Sequence, residues 1–448
     1  MSISGSHQPE GGRGPSAGQP PKNSPRPISI GGPIIRRLFF VSFACYLDDA
    51  SGAAVACRAL MEALGRRGFS VEVLSGPVLE RAVEVDLPSW LAARGLPVDI
   101  QGADSWDVGA LGSRPTSPLH LHLILGGVPI RLLVGSTLPH APSGHECRQF
   151  LRLFEEARAR GRPDVVISYG GGPLTREVFR SAKARGAVTV FSLHNLRYQD
   201  PAPFTDVDAV LVASRLAAEH YRSALGLRCT VLPNLVDVAR ARAPDRQPTY
   251  AVFVNPTVEK GVAVFARIAL ELGRRRPDIP FLVVESKGTE ADVAACGLDL
   301  RVHGNVFFHG HTNDPRRFWR LARICLLPSL VSENQPLVAI EAMLNGVPVI
   351  GSNRGGIPET LGSAGLIIPV PDRLSPASLI VPTAEETVPW VEAILALWDS
   401  PEFYAERVRL ASNEANRWAP ETLEPLYERF FATMTPGQSP WSAAPSDD

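Results

Sequence analysis

Apolar runs of strand length alternate along most of this chain with stretches in which apolar residues recur every three or four positions. The first run, Leu38–Phe43, is followed by the polar loop CYLDDASG. Val55, Ala56, Ala59, Leu60, Ala63 and Leu64 then fall on one helical face that stops at Gly68, and FSVEVLSG reads as a second strand. Strand, helix and strand in this order form a βαβ unit and the start of a parallel sheet. Residues 78–150 are less regular, although LHLHLILGGVPIRLLVG predicts a hairpin around Gly126 and Gly127. The rhythm resumes with helices near FLRLFEEARARG and REVFRSAKARG, strands at DVVISYGGG, AVTVFSLHN and DAVLVAS, a helix from Arg215 and the strand CTVLPNLVD.

The small, charged, Pro-containing segment VARARAPDRQPTY predicts a hinge. Beyond it the pattern restarts with YAVFVNPTVEKG, a helix through RIALELGRRRPD, and PFLVVES. VFFHGH, FWRLARICLLPS, the helix PLVAIEAMLNG, VPVIGSNRGG and the helix PETLG follow. The fold class is therefore α/β, with two doubly wound, Rossmann-like lobes facing a cleft. Ligands in such sheets lie beyond the carboxyl ends of the strands.

Composition narrows the function. The 45 Lys and Arg nearly balance the 46 Asp and Glu, which excludes a basic nucleic-acid footprint. Six scattered cysteines without a CxxC pair argue against zinc and disulfides and suit a reducing cytoplasm. No apolar run reaches the ~18 residues of a membrane span, and the start lacks the basic and apolar regions of a signal peptide. A cytoplasmic location is expected, with peripheral membrane contact left open. Residues 1–33 hold seven Gly and seven Pro and read as a disordered arm, as does the tail 435–448. Lysine is scarce: Lys22, Lys183, Lys260 and Lys287 are the only four, so each draws notice.

The densest chemical signal is LLPSLVSENQPLVAIEAMLNGVPVIGSNRGGIPE, residues 326–359. A strand ends at Ser329, Glu333 lies in the loop, Pro336 stands where helices begin, and Glu341 lies on that helix. Two acids beside a helix N-terminus at a strand's carboxyl end can face one anionic or polyhydroxyl ligand at two points. Spacing alone leaves open that Glu341 is a solvated helix residue and Glu333 an ordinary loop acid.

E-N-Q-P-L-V-A-I-E-A-M with G-V-P-V-I and G-G-I-P-E resembles the nucleotide-sugar site of retaining GT-B glycosyltransferases, and most closely family 4, also called group 1. The resemblance implies that Glu333 binds donor-sugar hydroxyls, that Glu341 binds the ribose, and that backbone groups of Asn334 and Gln335 serve the sugar. NPTVEKG resembles the family's diphosphate element, with Lys260 as its lysine and helix-start amides after Gly261 assisting. The usual Arg of that element is absent: Asn255, Pro256 and Thr257 stand there, and Arg354 is the candidate substitute. His194, followed by Asn195, matches the histidine that lies over the donor sugar. Gly52, after Ser51, resembles the glycine loop at the first helix, and VLPNLVD resembles the segment that enters the hinge. Gly170–Gly172 can bring backbone close to a ligand or form a simple turn. Asp48 and Asp49 read as polar loop or acceptor-edge residues, not as a metal pair.

The implied domains are an acceptor-side lobe at 34–237, a hinge at 238–248, a nucleotide-sugar lobe at 249–417 and a helix at 418–434 that returns to the first lobe. The implied reaction is metal-free, cofactor-free transfer of a sugar, typically a hexose, from a nucleoside diphosphate to a hydroxyl acceptor with retention. Donor base, sugar and acceptor stay open. A non-catalytic nucleotide-sugar binder, or an epimerase or hydrolase on the same fold, is the alternative. A dinucleotide-dependent oxidoreductase is disfavoured because no G-x-G-x-x-G follows the first strand.

Overall fold

The computed structural model describes residues 37–81, 83–102 and 117–441. The expected arm at 1–33 lies outside these residues. In the first lobe, β1 (Arg37–Ala44) and β2 (Ser70–Val78) pair in parallel, and the apolar stretch of β1 is covered on both faces. The sheet contains β3 (Asp99–Gln101), β4 (His120–Leu125), β5 (Val128–Leu133), β6 (Val165–Ser168), β7 (Val188–Leu193), β8 (Ala209–Val212) and β9 (Cys229–Val231). Its strand order is β3-β4-β5-β2-β1-β6-β7-β8-β9. β4 and β5 form the hairpin expected around Gly126 and Gly127, β3 adds antiparallel to β4, and the remaining pairs are parallel.

The second lobe contains β10 (Tyr250–Val254), β11 (Phe281–Val284), β12 (Val306–His309), β13 (Ala322–Leu327), β14 (Val349–Ser352) and β15 (Gly365–Ile368). All its pairs are parallel, in the order β12-β11-β10-β13-β14-β15. Strand order therefore reverses between β10 and β13, and the loops leaving these two strands diverge over a crevice. Lys260 is on one of these loops and Glu333 on the other. The helices Ala384–Asp399 and Pro401–Ala415, absent from the sequence reading, complete this lobe. Trp390 on the first of them is buried in the same apolar cluster as Phe253, Phe265 and Phe281.

The hinge segment is more ordered than its composition predicts. Asp237 caps a short helix, Val238–Ala241. Asn345 then receives the Ala243 N–H and donates to the Ala241 carbonyl. Arg246 donates to the carbonyls of Asn345 and Ala322. Partners from the second lobe thus satisfy the polar backbone of a segment too hydrophilic to pack by itself.

The helix Pro420–Thr433 returns to the first lobe, as expected. Arg66 and Arg67, at the end of the helix Gly52–Arg66, pair with Glu424 and Glu428 on it. Buried Tyr427 donates to the carbonyls of Leu232 and Pro233, each at 3.1 Å, where the chain leaves the first lobe. One apolar cluster runs from Leu60 and Leu64 through Leu235 to Met343 and Phe431, so both lobes share a core. The tail expectation is corrected in part. Residues 439–441 lie against the first lobe, where Trp441 bridges Leu227, the Pro440 carbonyl accepts from Arg228 N at 2.6 Å and the Ser439 carbonyl accepts from the Arg228 guanidinium. An indole supplies the buried surface that the rest of the tail lacks; residues 442–448 lie outside the described ones.

Replacing Tyr427 with Phe leaves the buried Leu232 carbonyl and the half-buried Pro233 carbonyl without their donor. The expected cost is about 1–2 kcal/mol, read as a lower denaturation midpoint with secondary structure unchanged.

Candidate functional site

The cleft between the lobes encloses about 1010 Å³. His194, Gly52, Lys260, Glu333, Asn334, Gln335 and Glu341 all line it, whereas Gly261 and Arg354 do not.

Lys260 and Glu333 meet at the crevice. The Lys260 ammonium lies 2.5 Å from Glu333 Oε1, which also accepts from Ser329 Oγ at 2.8 Å. Two close approaches hold the loops in place. Gly261 takes a left-handed φ of 82°, and a Cβ there would lie 1.9 Å from the Pro328 carbonyl oxygen. Its role is to let the Lys260 turn press against the end of β13. Gly355 and Gly356 press against the Glu333 loop from the other side: a Cβ at Gly355 would lie 2.4 Å from Glu333 N, and one at Gly356 2.1 Å from Asn334 O. Gly356 N also donates to Glu333 O at 2.7 Å.

Asn334 and Gln335 direct their side chains to the first lobe. Asn334 accepts from Ser214 Oγ at 2.8 Å and donates to the Leu193 carbonyl at 3.0 Å. Gln335 Oε1 accepts from Asn234 N at 2.7 Å. Glu359, from the G-G-I-P-E element, accepts from the N–H groups of Arg215 and Leu216 and so caps a first-lobe helix from across the cleft.

Glu341 occupies the floor of the cleft, where buried Trp319 donates its indole N–H to Oε2 at 3.0 Å. Burial pushes its carboxyl up to about 7, against the opposing influence of the Trp319 bond and the Arg240 charge. Its side chain keeps a strip of surface in the open cleft, but the surrounding protein withholds water from the carboxylate.

His194 directly follows β7. Its Nε2 lies 2.9 Å from Ser192 Oγ and 3.3 Å from Cys57 Sγ, and its ring meets Tyr169 edge-on. Burial lowers its pKa to about 4, so the imidazole is neutral near pH 7. It offers a flat, uncharged surface and not a proton donor. Gly52 opens the helix Gly52–Arg66, with buried Ser51 as cap. A Cβ at Gly52 would meet nothing within 4 Å, so close packing does not require glycine there.

Residues 249–381 match the family described as glycosyl transferases, group 1. The chain is 28% identical over 379 residues to D-inositol 3-phosphate glycosyltransferase of Arthrobacter sp. (strain FB24), covering 73% of this chain and 84% of that one. Over its second lobe the chain is thus similar to the group 1 glycosyl transferases. Its fold is that of sucrose-phosphate synthase from Thermosynechococcus elongatus, with a TM-score of 0.61 at 17% identity over 89% of this chain and 99% of that one. The pneumococcal O-GlcNAc transferase GtfA, solved with UDP and GlcNAc, gives 0.62 at 13% identity over 89% and 98% of the two chains.

One expectation for the site is corrected by the geometry. Arg354 does not reach the cleft: its guanidinium donates to the carbonyls of Val370 and Pro371 and pairs with Asp372 at 3.2 Å. The Gly355–Gly356 packing that fixes the Glu333 loop carries the preceding side chain to the opposite side. Asp48 and Asp49 shape a loop, as expected. Buried Asp48 accepts from the N–H groups of Ala50 and Glu80, and Asp49 pairs with Arg58 at 2.6 Å. Among the described residues no cluster of metal-binding side chains occurs. No helix among them is long and apolar enough to cross a membrane.

Sequence reasoning missed Arg197, Trp319 and Lys287. Arg197 lines the cleft and pairs with Glu259 of the other lobe at 2.6 Å. Lys287, also on the cleft wall, pairs with Glu80 of the first lobe at 3.2 Å. The scarcity of lysine was the signal that could have found it.

The Glu341 carboxyl yields a pH-dependent prediction. The fold favours its protonated form, so its penalty is absent near pH 4, grows as pH rises from the ordinary carboxylate range to about 7, and is constant above. Glu341→Gln keeps an acceptor for Trp319 and removes the penalty. The variant should be more stable than wild type by about 1–3 kcal/mol at pH 8 and show little gain at pH 4.5, measured by chemical denaturation.

Proposed function

We propose that the enzyme transfers a sugar from a nucleoside diphosphate to a hydroxyl acceptor with retained anomeric configuration and without a metal, as a member of family 4. The juxtaposition of Lys260 and Glu333 at the strand-order reversal carries this reading. It presents one cation and one anion side by side, matching the diphosphate and the adjoining sugar hydroxyls of such a donor. Glu341, beyond them on the cleft floor, receives the ribose diol. Two adjacent hydroxyls donating to its carboxylate favour the ionised form, so donor binding and deprotonation of Glu341 reinforce one another. Backbone N–H groups at Asn334 and Gln335 face the sugar, since their side chains serve the first lobe. His194 covers the sugar face as a neutral ring.

In the reaction the bond between the anomeric carbon and the diphosphate oxygen breaks, and a bond to the acceptor oxygen forms on the same face. The acceptor proton passes to the departing phosphate. Lys260 stabilises the developing charge, which is the principal catalytic demand, and the enclosed cleft limits hydrolysis of the donor. Gly52 lies at the acceptor edge. UDP in GtfA and in Anabaena HepE makes uridine diphosphate donors the first to test. The Arthrobacter relative's name makes a phosphorylated polyol the first acceptor.

Purified protein should be screened for thermal stabilisation by UDP-, GDP- and ADP-sugars, then assayed for transfer with the donor that binds. Lys260→Ala and Glu333→Ala should each lower transfer by at least about a hundredfold while circular dichroism stays unchanged. Full activity in either variant overturns the assignment.

A further inference from the structure

A nucleoside diphosphate leaving group carries at least two negative charges, whereas Lys260 supplies one positive charge and is partly neutralised by Glu333. In a cleft shielded from water, an unmatched phosphate charge is costly. Besides Lys260, the cations lining the cleft among the described residues are Arg58, Arg197, Arg240 and Lys287. Arg58 is buried, donates to the Tyr46 carbonyl and pairs with Asp49. Arg240 reaches the Asn313 carbonyl and the same Asp49. Arg197 lies on the first lobe and its side chain is 66% exposed.

Lys287 is placed differently. β10 and β11 are neighbours in register, with Val254 opposite Val284, so the loops leaving them start at the same level. Lys260 and Lys287 lie on these two loops. The loops are in contact: Gly288 N donates to Asn255 Oδ1 at 2.9 Å, and a Cβ at Gly288 would lie 2.4 Å from Pro256 C and 2.7 Å from Thr257 N. The Thr257 carbonyl in turn accepts from Lys260 N at 3.1 Å. Only a glycine allows this approach, which sets Lys287 one residue, and Lys260 three residues, from the same contact. Asn255 carries no charge to offer, and its amide oxygen is committed to that loop.

We propose that Lys287 is the second diphosphate-binding cation of this enzyme; the inference rests on the donor-binding reading above. Both lysines rest on carboxylates, Lys260 on Glu333 and Lys287 on Glu80. The Lys287 side chain is 42% exposed and ends a flexible four-carbon stem, so exchanging Glu80 for a phosphate oxygen needs side-chain motion alone. Glu80 thus competes with the donor for Lys287.

Lys287→Met and Glu80→Gln break the same ion pair, and the proposal gives them opposite consequences. Calorimetric titration would use whichever of UDP, GDP and ADP binds wild type, with its parent nucleoside as control. Lys287→Met should weaken nucleoside diphosphate binding by at least about tenfold and leave nucleoside binding unchanged, whereas Glu80→Gln should tighten diphosphate binding. Shifts in the same direction for both variants would reduce the pair to an interlobe strut and overturn the proposal, as would unchanged diphosphate binding in Lys287→Met. Lack of binding by wild type would overturn the donor-binding reading itself.

Discussion

The site is organised by the meeting of two loops that leave β10 and β13 where the strand order of the second lobe reverses. Parallel strands wound in opposite directions open a crevice there, and the Lys260–Glu333 ion pair spans it. Removing two charges from water is costly unless each is matched. Ser329 shares the Glu333 carboxylate, and glycines at 261, 355 and 356 let three backbone segments approach closer than any side chain would allow. The same packing that fixes Glu333 turns Arg354 away from the cleft.

The lobes are joined at the cleft by polar contacts and behind it by an apolar core. Asn334, Gln335 and Glu359 each satisfy backbone groups of the first lobe from loops that also build the donor side. The ion pairs Arg197–Glu259 and Lys287–Glu80 cross the cleft with substantial solvent exposure and contribute little stability on that account. They can be exchanged for ligand contacts at small cost. Around Tyr427 and Phe431 the contact is buried and apolar, and it holds the lobes together behind the cleft.

Much of the site was legible because its residues belong to short elements with local signatures. Glu333, Pro336 and Glu341 fall within nine residues spanning a strand end and a helix start, and their placement follows from that geometry. Lys260 stood out by scarcity beside a glycine that begins a helix. The orientations of Asn334 and Gln335 were not legible, because their partners Ser214, Leu193 and Asn234 lie more than a hundred residues away. Nor was the desolvation of Glu341, whose indole partner comes from a different element. Trp441 escaped notice because one aromatic residue in a polar tail changes the composition little, yet it packs against the first-lobe cluster that contains Leu227.

The sequence by itself determined the two-lobed α/β architecture, the hairpin and the loops that bear the chemistry. These depend on apolar spacing and helix and turn signals, which act over a few residues. The tertiary structure alone decided which charged side chains enter the cleft. It sent Arg354 to the Val370 and Pro371 carbonyls, brought Lys287 beside the Lys260 turn, and left Glu341 desolvated on the cleft floor. Each outcome depends on partners distant in sequence and on how closely two backbones approach, and no local pattern encodes those quantities.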